Sequence, residues 1–308
     1  MMHNNTVVVN GESLEIKKNY PFRIGLTSDL QTGCQYGLAP KTYTDKDGVL
    51  HTVDLNNGQK QLLKDWNKFA DECNENKINY LWIPGDLIGG QNPIERGKYM
   101  MDIDLTTQVN MAVQLIEDFV KKVPSIKEVW IWRGTPYHGS RDMSIEESVS
   151  DKLNNRGVKS KYHSEYSFIT LEYNNRQKHI FITHPAADAS LYPEAAIGRN
   201  LRLYQEKMAQ GKLPPIHMEI RAHKHEFTEV HKASIRGLQL PCWQFFVPYD
   251  QAMKNFAHYQ PDIGGVILMF DDKLRTQTWH FVYENYIEPE RFLKINGTGV
   301  TKARLSKK

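Results

Sequence analysis

Aspartate and histidine are good ligands for divalent cations, and this chain places them in five small groups. These are Asp29-Leu30-Gln31, Gly85-Asp86, Gly134-Thr135-Pro136-Tyr137-His138, Thr183-His184 and His223-Lys224-His225. Carboxylate oxygens and neutral imidazole nitrogens are what a pair of divalent ions roughly 3.5–4 Å apart requires, with a shared carboxylate and an open position for water and phosphate. Such a pair neutralises phosphoryl oxygens and lowers the pKa of water, which suits hydrolysis of a phosphate ester. Each group alone is a weak signal. Gly-Asp is common in turns, Asp29 could cap the next segment, and a lone histidine such as His184 is more often a core residue. His223 and His225 are stronger, because alternate residues of a strand share one face.

What raises the set above chance is its placement, since every group lies at or just beyond an apolar run that reads as a buried strand. Residues 21–28 form the first such run and end at Asp29. Residues 31–57 are rich in Gly and Thr without helical period, and predict a long loop over the site. Leu62, Trp66, Phe69, Ala70 and Cys73 recur at helical steps, and Ile78 to Pro84 is the second strand. Leu105, Val109, Ala112, Val113, Ile116, Phe119 and Val120 predict another helix, and Val129 to Trp132 a third strand. This alternation argues for right-handed βαβ units and a largely parallel sheet. Trp130 and Trp132 share a face, read as packing against a flanking helix. Ser144 with Glu147 predicts a capped helix through Leu153, its acidic residues solvated.

The second half changes character. Phe168–Leu171 and His179–Thr183 predict a strand pair, Ile197, Leu201, Tyr204 and Met208 a helix, and Ile216–Ala222 a strand running into His223. Val266–Phe270 and Thr276–Val282 read as a closing hairpin. The expected fold is α/β: two mixed β-sheets packed as a sandwich and flanked by α-helices. The expected organisation is an N-terminal extension over 1–20, a single domain over 21–285 and a basic C-terminal tail over 286–308, whose end from Thr301 to Lys308 reads as disordered.

Composition agrees with a large enzyme-like domain. The chain has 308 residues, 40% of them hydrophobic, and no stretch approaches the 18 or so apolar residues of a membrane span. Met1 to Asn10 lacks the basic and apolar regions of a signal peptide, so a cytoplasmic protein (host cytoplasm, if viral) is expected. Cys34, Cys73 and Cys242 are widely spaced and show no thiolate zinc pattern; Cys73 falls on a helix's apolar face. A formal net charge of +3 is too small to argue for nucleic acid.

The order of groups resembles the calcineurin-like metallophosphoesterase superfamily, whose pattern is Asp-x-His, Gly-Asp, Gly-Asn-His-Asp/Glu, a lone His, then Gly-His-x-His. The resemblance covers about residues 23–231. It implies a dinuclear centre in which Asp29 and His225 bind the first metal, His184 and His223 the second, and Asp86 bridges both. It also implies attack on phosphorus by a metal-bridging hydroxide. Three departures stand out. Gln31 replaces a histidine, and its harder, weaker amide oxygen either favours Mn²⁺ or Mg²⁺ over Zn²⁺ or leaves the position loosely filled. Thr135 stands where an asparagine ligand is expected, two residues before His138. Ala222 replaces the glycine before His223. The Gly-Thr-Pro-x-His form resembles a variant among phage-encoded and archaeal members.

The metal set carried into the structure is therefore Asp29, Gln31, Asp86, Thr135, His184, His223 and His225. His138 is the candidate catalytic residue, with direct metal binding as its alternative role. Arg133 and Arg141 flank it as candidate phosphate contacts, solvated or salt-bridged surface residues being the plainer reading. Two divalent ions are expected, Mn²⁺ first and Mg²⁺, Fe²⁺ or Zn²⁺ after it. The expected substrate is a phosphate ester, with a tilt towards a phosphodiester such as DNA or RNA and with no membrane partner. The rival expectation is a metal-binding scaffold that kept the fold and lost activity.

Overall fold

Two sheets face each other across a core of aromatic and branched side chains, and helices cover both outer faces. The computed structural model describes residues 5–9, 12–16, 22–91, 97–138, 144–184, 193–247, 261–283, 293–296 and 299–302. In chain order the strands begin with β1 (Asn5–Val9), β2 (Glu12–Ile16), β3 (Phe22–Leu26), β4 (Thr42–Thr44) and β5 (Leu50–Thr52). After α1 (Asn57–Glu75) come β6 (Tyr80–Pro84), α2 (Leu105–Lys122), β7 (Glu128–Trp132), α3 (Ile145–Asn155) and β8 (Ser160–His163). Next are β9 (Tyr166–Tyr173), β10 (Arg176–Thr183), α4 (Pro193–Ala209), β11 (Met218–Arg221), β12 (Thr228–Lys232) and β13 (Ile235–Gln239). The last are β14 (Ile263–Phe270), β15 (Thr276–Tyr283), β16 (Leu293–Asn296) and β17 (Gly299–Lys302).

One sheet has the order β15-β14-β3-β6-β7-β8 and the other β12-β13-β11-β10-β9-β1-β2. Strands β3, β6, β7 and β8 run parallel, as do β10, β11 and β13. Parallel strands covered on both faces read as continuous apolar runs, and β6 shows why. Tyr80 and Trp82 point into the space between the sheets, while Leu81 and Ile83 point to the layer formed by α1, α2 and α3. All five β6 residues are buried. On the opposite outer face, Ile197 and Leu201 of α4 pack on Phe168, Phe181 and Ile235.

Trp130 and Trp132 belong to the layer between the sheets, not to the helical face expected for them. Period-two alternation puts both on one face but does not say which face meets a helix. Trp130 stacks on Trp82 with centroids 5.3 Å apart and planes 8° from parallel, and Trp132 Nε1 donates to Ser167 Oγ of the other sheet at 2.9 Å. Truncating either indole to alanine costs about 3–5 kcal/mol by the usual scale for buried aromatics.

Three further differences from the sequence reading have local causes. The segment after Asp29 is not featureless, because β4 and β5 pair as a hairpin whose carbonyls at Thr44 and Asp45 accept from Asn110 Nδ2 on α2. Strands β12 and β13 were not anticipated, the first being mostly polar and the second interrupted by Gly237. Glu146, expected on a solvated acidic face, is only 7% exposed. Ser144 does cap α3, accepting from Glu147 N at 3.3 Å. The N-terminal hairpin extends the second sheet through β1 against β9, and Thr301 and Lys302 of the basic tail pair within β16–β17. Cys73 is fully buried, and burial raises its thiol pKa well above the ordinary range.

Candidate metal centre

The carboxyl ends of β3, β6, β7, β10 and β11 meet at one rim of the two sheets, and each delivers one of the anticipated groups. This is the position where open α/β sheets bind ligands. Asp29 and Asp86 are 0% and 1% exposed. Carboxylates so deeply buried require compensation by hydrogen bonds or positive charge.

Around Asp86, His184 Nε2 lies 3.0 Å from Oδ2, at an angle that does not make a hydrogen bond. His223 Nδ1 lies 3.9 Å from the same oxygen. These three residues offer ligand atoms all within 4.8 Å of one another, a group able to hold a metal ion. Around Asp29, His225 Nε2 lies 3.1 Å from Oδ1, Ser28 Oγ donates to Oδ2 at 2.7 Å, and the His223 amide donates to Oδ2 at 3.2 Å. His184 Nε2 is also 3.8 Å from Asp29 Oδ1, so the two clusters adjoin.

Tautomers follow from what each ring's other nitrogen meets. His184 Nδ1 faces the Pro84 carbonyl at 2.6 Å, and a carbonyl only accepts, so Nδ1 carries hydrogen and Nε2 is left to face the carboxylates. His138 Nδ1 likewise donates to the Gly89 carbonyl at 2.9 Å. Its Nε2 sits 3.7 Å from Asp86 Oδ2 and 3.4 Å from Gln31 Nε2. With Nε2 of Gln31 turned to His138, the amide oxygen Oε1 is buried without a hydrogen-bond partner among the described residues. An unpaired buried amide oxygen costs on the order of 1–3 kcal/mol, and a hard cation would satisfy it.

The electrostatics match a cation site. Burial alone would neutralise both aspartates, yet the surrounding imidazoles reverse that effect. His184 and His138 hold Asp86 well below the usual carboxylate range, and His184 and His225 lower Asp29. Burial disfavours charge on His184, but Asp86 and Asp29 outweigh it and raise its pKa to about 9. Burial lowers His223. His225 goes well up against its burial, through Cys242 and Asp29, and Cys242 is also its hydrogen-bond partner.

The backbone is strained where it presents these groups. Asp29, Gln31, Asp86, His223 and His225 all have left-handed φ, between 49° and 80°. That conformation costs an L-residue roughly 1–2 kcal/mol, and strain of this kind collects at functional sites. Gly85, at φ 81°, precedes Asp86; a methyl there would meet His184 Nδ1 at 2.6 Å.

The remaining anticipated residues fall as follows. Thr135 is buried and its hydroxyl lies 3.1 Å from both oxygens of Asp86. Arg133 is paired with Glu165 at 3.1 Å on the surface, and Arg141 lies outside the described residues. Two buried polar residues near the site were not anticipated. Glu146, on the first turn of α3, accepts from the Gly134 amide, and burial followed by the charge of Asp86 pushes its pKa up to about 7. Gln108 of α2 is fully buried among the loops that carry Gln31 and Gly89.

No family model matches the chain, and no curated protein sequence matches it. Among solved structures it is similar to a novel archaeal phosphodiesterase, at 12% identity and a TM-score of 0.38 over 84% of this chain and 100% of that one. It is similar to wild-type Vps29 complexed with zinc from Entamoeba histolytica, at 11% identity and a TM-score of 0.35 over 85% and 99%. A dimetal phosphatase from Danio rerio matches at 9% identity and a TM-score of 0.38 over 83% and 98%. These likenesses leave the case for function to the site itself. In the order of its motifs and in its two mixed sheets flanked by helices, the chain resembles the calcineurin-like metallophosphoesterases.

Proposed function

We propose that the protein is a metal-dependent phosphoesterase working through a dinuclear centre. The observation that carries this reading is the convergence of buried Asp29, Asp86 and His184 with half-buried His223 and His225 from four strand ends, beside a Gln31 Oε1 that has no hydrogen-bond partner among the described residues. The donor set suits two divalent ions. Asp29, His225 and Gln31 would hold one, His184 and His223 the other, and Asp86 both. The mixture of carboxylate, amide oxygen and imidazole suits Mn²⁺. When bound, such ions supply Lewis-acid neutralisation of the phosphoryl oxygens and lower the pKa of water.

The chain's own residues do the rest. Asp29 and Asp86, both buried, supply fixed negative charge. The hydroxyl and amide of Thr135 orient Asp86. His138 has one nitrogen tied to a carbonyl and an 18% exposed side chain, so Nε2 of its imidazolium form is placed to deliver a proton to the departing oxygen. The substrate is a phosphate ester, and a phosphodiester is the first class to try.

The test is hydrolysis of bis-p-nitrophenyl phosphate against p-nitrophenyl phosphate with Mn²⁺ added, using Asp86→Asn as control. The expected result is turnover that disappears in the variant, the preferred ester separating diesterase from monoesterase. Equal turnover and equal metal content in Asp86→Asn would end the proposal. A folded, Mn²⁺-loaded protein inert on both esters would point to a metal-binding scaffold.

A further inference from the structure

His138 meets the loop after β6 through one ring nitrogen, and a side chain of α2 holds that loop. Gln108 lies inside α2 and is 0% exposed, where an amide side chain is expensive unless every polar atom is paired. Here each is. Gln108 Oε1 accepts from the Gly90 amide at 2.9 Å. Its Nε2 donates to the Gly90 carbonyl at 3.0 Å and to the Asp102 carbonyl at 2.7 Å. The side chain thus pairs with the Gly90 backbone in both directions, as one strand pairs with another, and fastens that residue to the helix.

Gly90 is the next residue after Gly89, whose carbonyl accepts from His138 Nδ1 at 2.9 Å. Gly90 has φ 68°, and a methyl group on it would strike the His138 backbone, so the two loops are in direct contact. Gly33 of the loop after β3 also closes on Gln108: a methyl there would stand 2.6 Å from its Cγ. Gln108 therefore sits where the loops after β3, β6 and β7 converge.

We propose that Gln108 is a positioning residue for His138. By locking the Gly89–Gly90 peptide it keeps the Gly89 carbonyl on Nδ1, which fixes the ring's tautomer and turns Nε2 into the site. Partners of this kind, one step removed from the chemistry, are typically worth 10–100-fold in affinity or activity. The role in turnover rests on the phosphoesterase reading; the control of ring orientation does not.

The experiment uses the full-length chain, Gln108→Leu and Gln108→Glu. The leucine removes all three hydrogen bonds, and the glutamate keeps the acceptor for the Gly90 amide but loses both donors. The first readout is the pair of imidazole ¹⁵N shifts of His138 in EDTA, with His184 as internal control, because its Nδ1 is held by Pro84 and not by this loop. The second is kcat against KM on the better nitrophenyl ester with Mn²⁺. Expected are His138 shifts that leave the Nδ1–H pattern while those of His184 stay, and a kcat reduced about tenfold or more with KM little changed. The glutamate variant carries the same test should the leucine variant not fold. Unchanged His138 shifts, or shifts of both rings together, would overturn the proposal. A wild-type protein without turnover would sink the phosphoesterase reading and leave the ¹⁵N result to decide this one.

Discussion

Thr135 donates twice to Asp86: its amide reaches Oδ1 at 2.6 Å and its hydroxyl stands 3.1 Å from both carboxylate oxygens. The peptide before it is pressed just as closely, since a methyl on Gly134 would collide with the Asp86 carboxylate. The loop after β7 is thus a cradle for the carboxylate at the end of β6. In the resembling family this position is a metal-binding asparagine; here the threonine hydroxyl is engaged with the carboxylate.

Thr135→Val keeps the shape and the amide but removes the hydroxyl. Mn²⁺ affinity, followed by the electron paramagnetic signal of free Mn²⁺, is expected to fall by about 10–100-fold, the usual effect of losing an orienting partner. Thr135→Ser should restore most of it. Wild-type binding in the valine variant would show that the hydroxyl neither orients Asp86 nor touches a cation.

Gln31→His replaces a hard oxygen by an imidazole at the same buried position. The ratio of Zn²⁺ to Mn²⁺ affinity in a competition titration is expected to rise severalfold or more, because imidazole suits Zn²⁺ better than an amide oxygen does. An unchanged ratio would mean that Gln31 is not a ligand.

In protein stripped of cations, His184 makes stability depend on pH in a stated direction. Its pKa is raised from 6.5 to about 9 in the folded state, against its burial, by Asp86 and Asp29. The contribution is fully present below pH 6.5, on the order of 3 kcal/mol, and is lost as pH rises through about 9. Urea midpoints in EDTA should fall across that window for wild type and stay flatter for His184→Asn. Cation binding needs the proton gone, so Mn²⁺ affinity should rise over the same range.

Glu146 gives a second pH signature. Burial, then Asp86, raises its pKa from 4.5 to about 7. Its neutral form favours the fold below pH 4.5, and that advantage, on the order of 3 kcal/mol, is lost as pH rises through 7. Glu146→Gln keeps an acceptor for the Gly134 amide without the charge. The variant should melt above wild type at pH 8 and level with it at pH 4. A lower melting temperature at pH 8 would show that the ionised carboxylate is the form the structure needs.

The candidate ligands were legible because each closes an apolar run: Asp29 follows Phe22–Leu26, Asp86 follows Tyr80–Pro84, and His184 follows Thr183 at the end of β10. A strand terminus is a place that both periodicity and turn chemistry mark. Gln108 and Glu146 were not legible for the opposite reason. Each is a polar residue in a helix, where polarity ordinarily signals solvent, and only the approach of a loop from elsewhere reveals the buried role. The wrong side assigned to Trp130 and Trp132 has a similar origin, because alternation pairs residues on a face without naming what covers it. Strand β13 is recognised by its parallel pairing with β11, a long-range relation that its five residues do not announce.

The stacked indoles have a spectroscopic consequence. Trp82 and Trp130 are register partners on β6 and β7, nearly parallel and 5.3 Å apart. Chromophores so close couple their electronic transitions, and Trp132, 5.7 Å from Trp82 with planes 65° apart, supplies the skew that a circular-dichroism couplet needs. The strands that generate this signal are the two that end in Asp86 and in the Gly134–His138 loop. Light therefore reports on the alignment of the scaffold beneath the centre, independently of whether any cation or ester is bound above it.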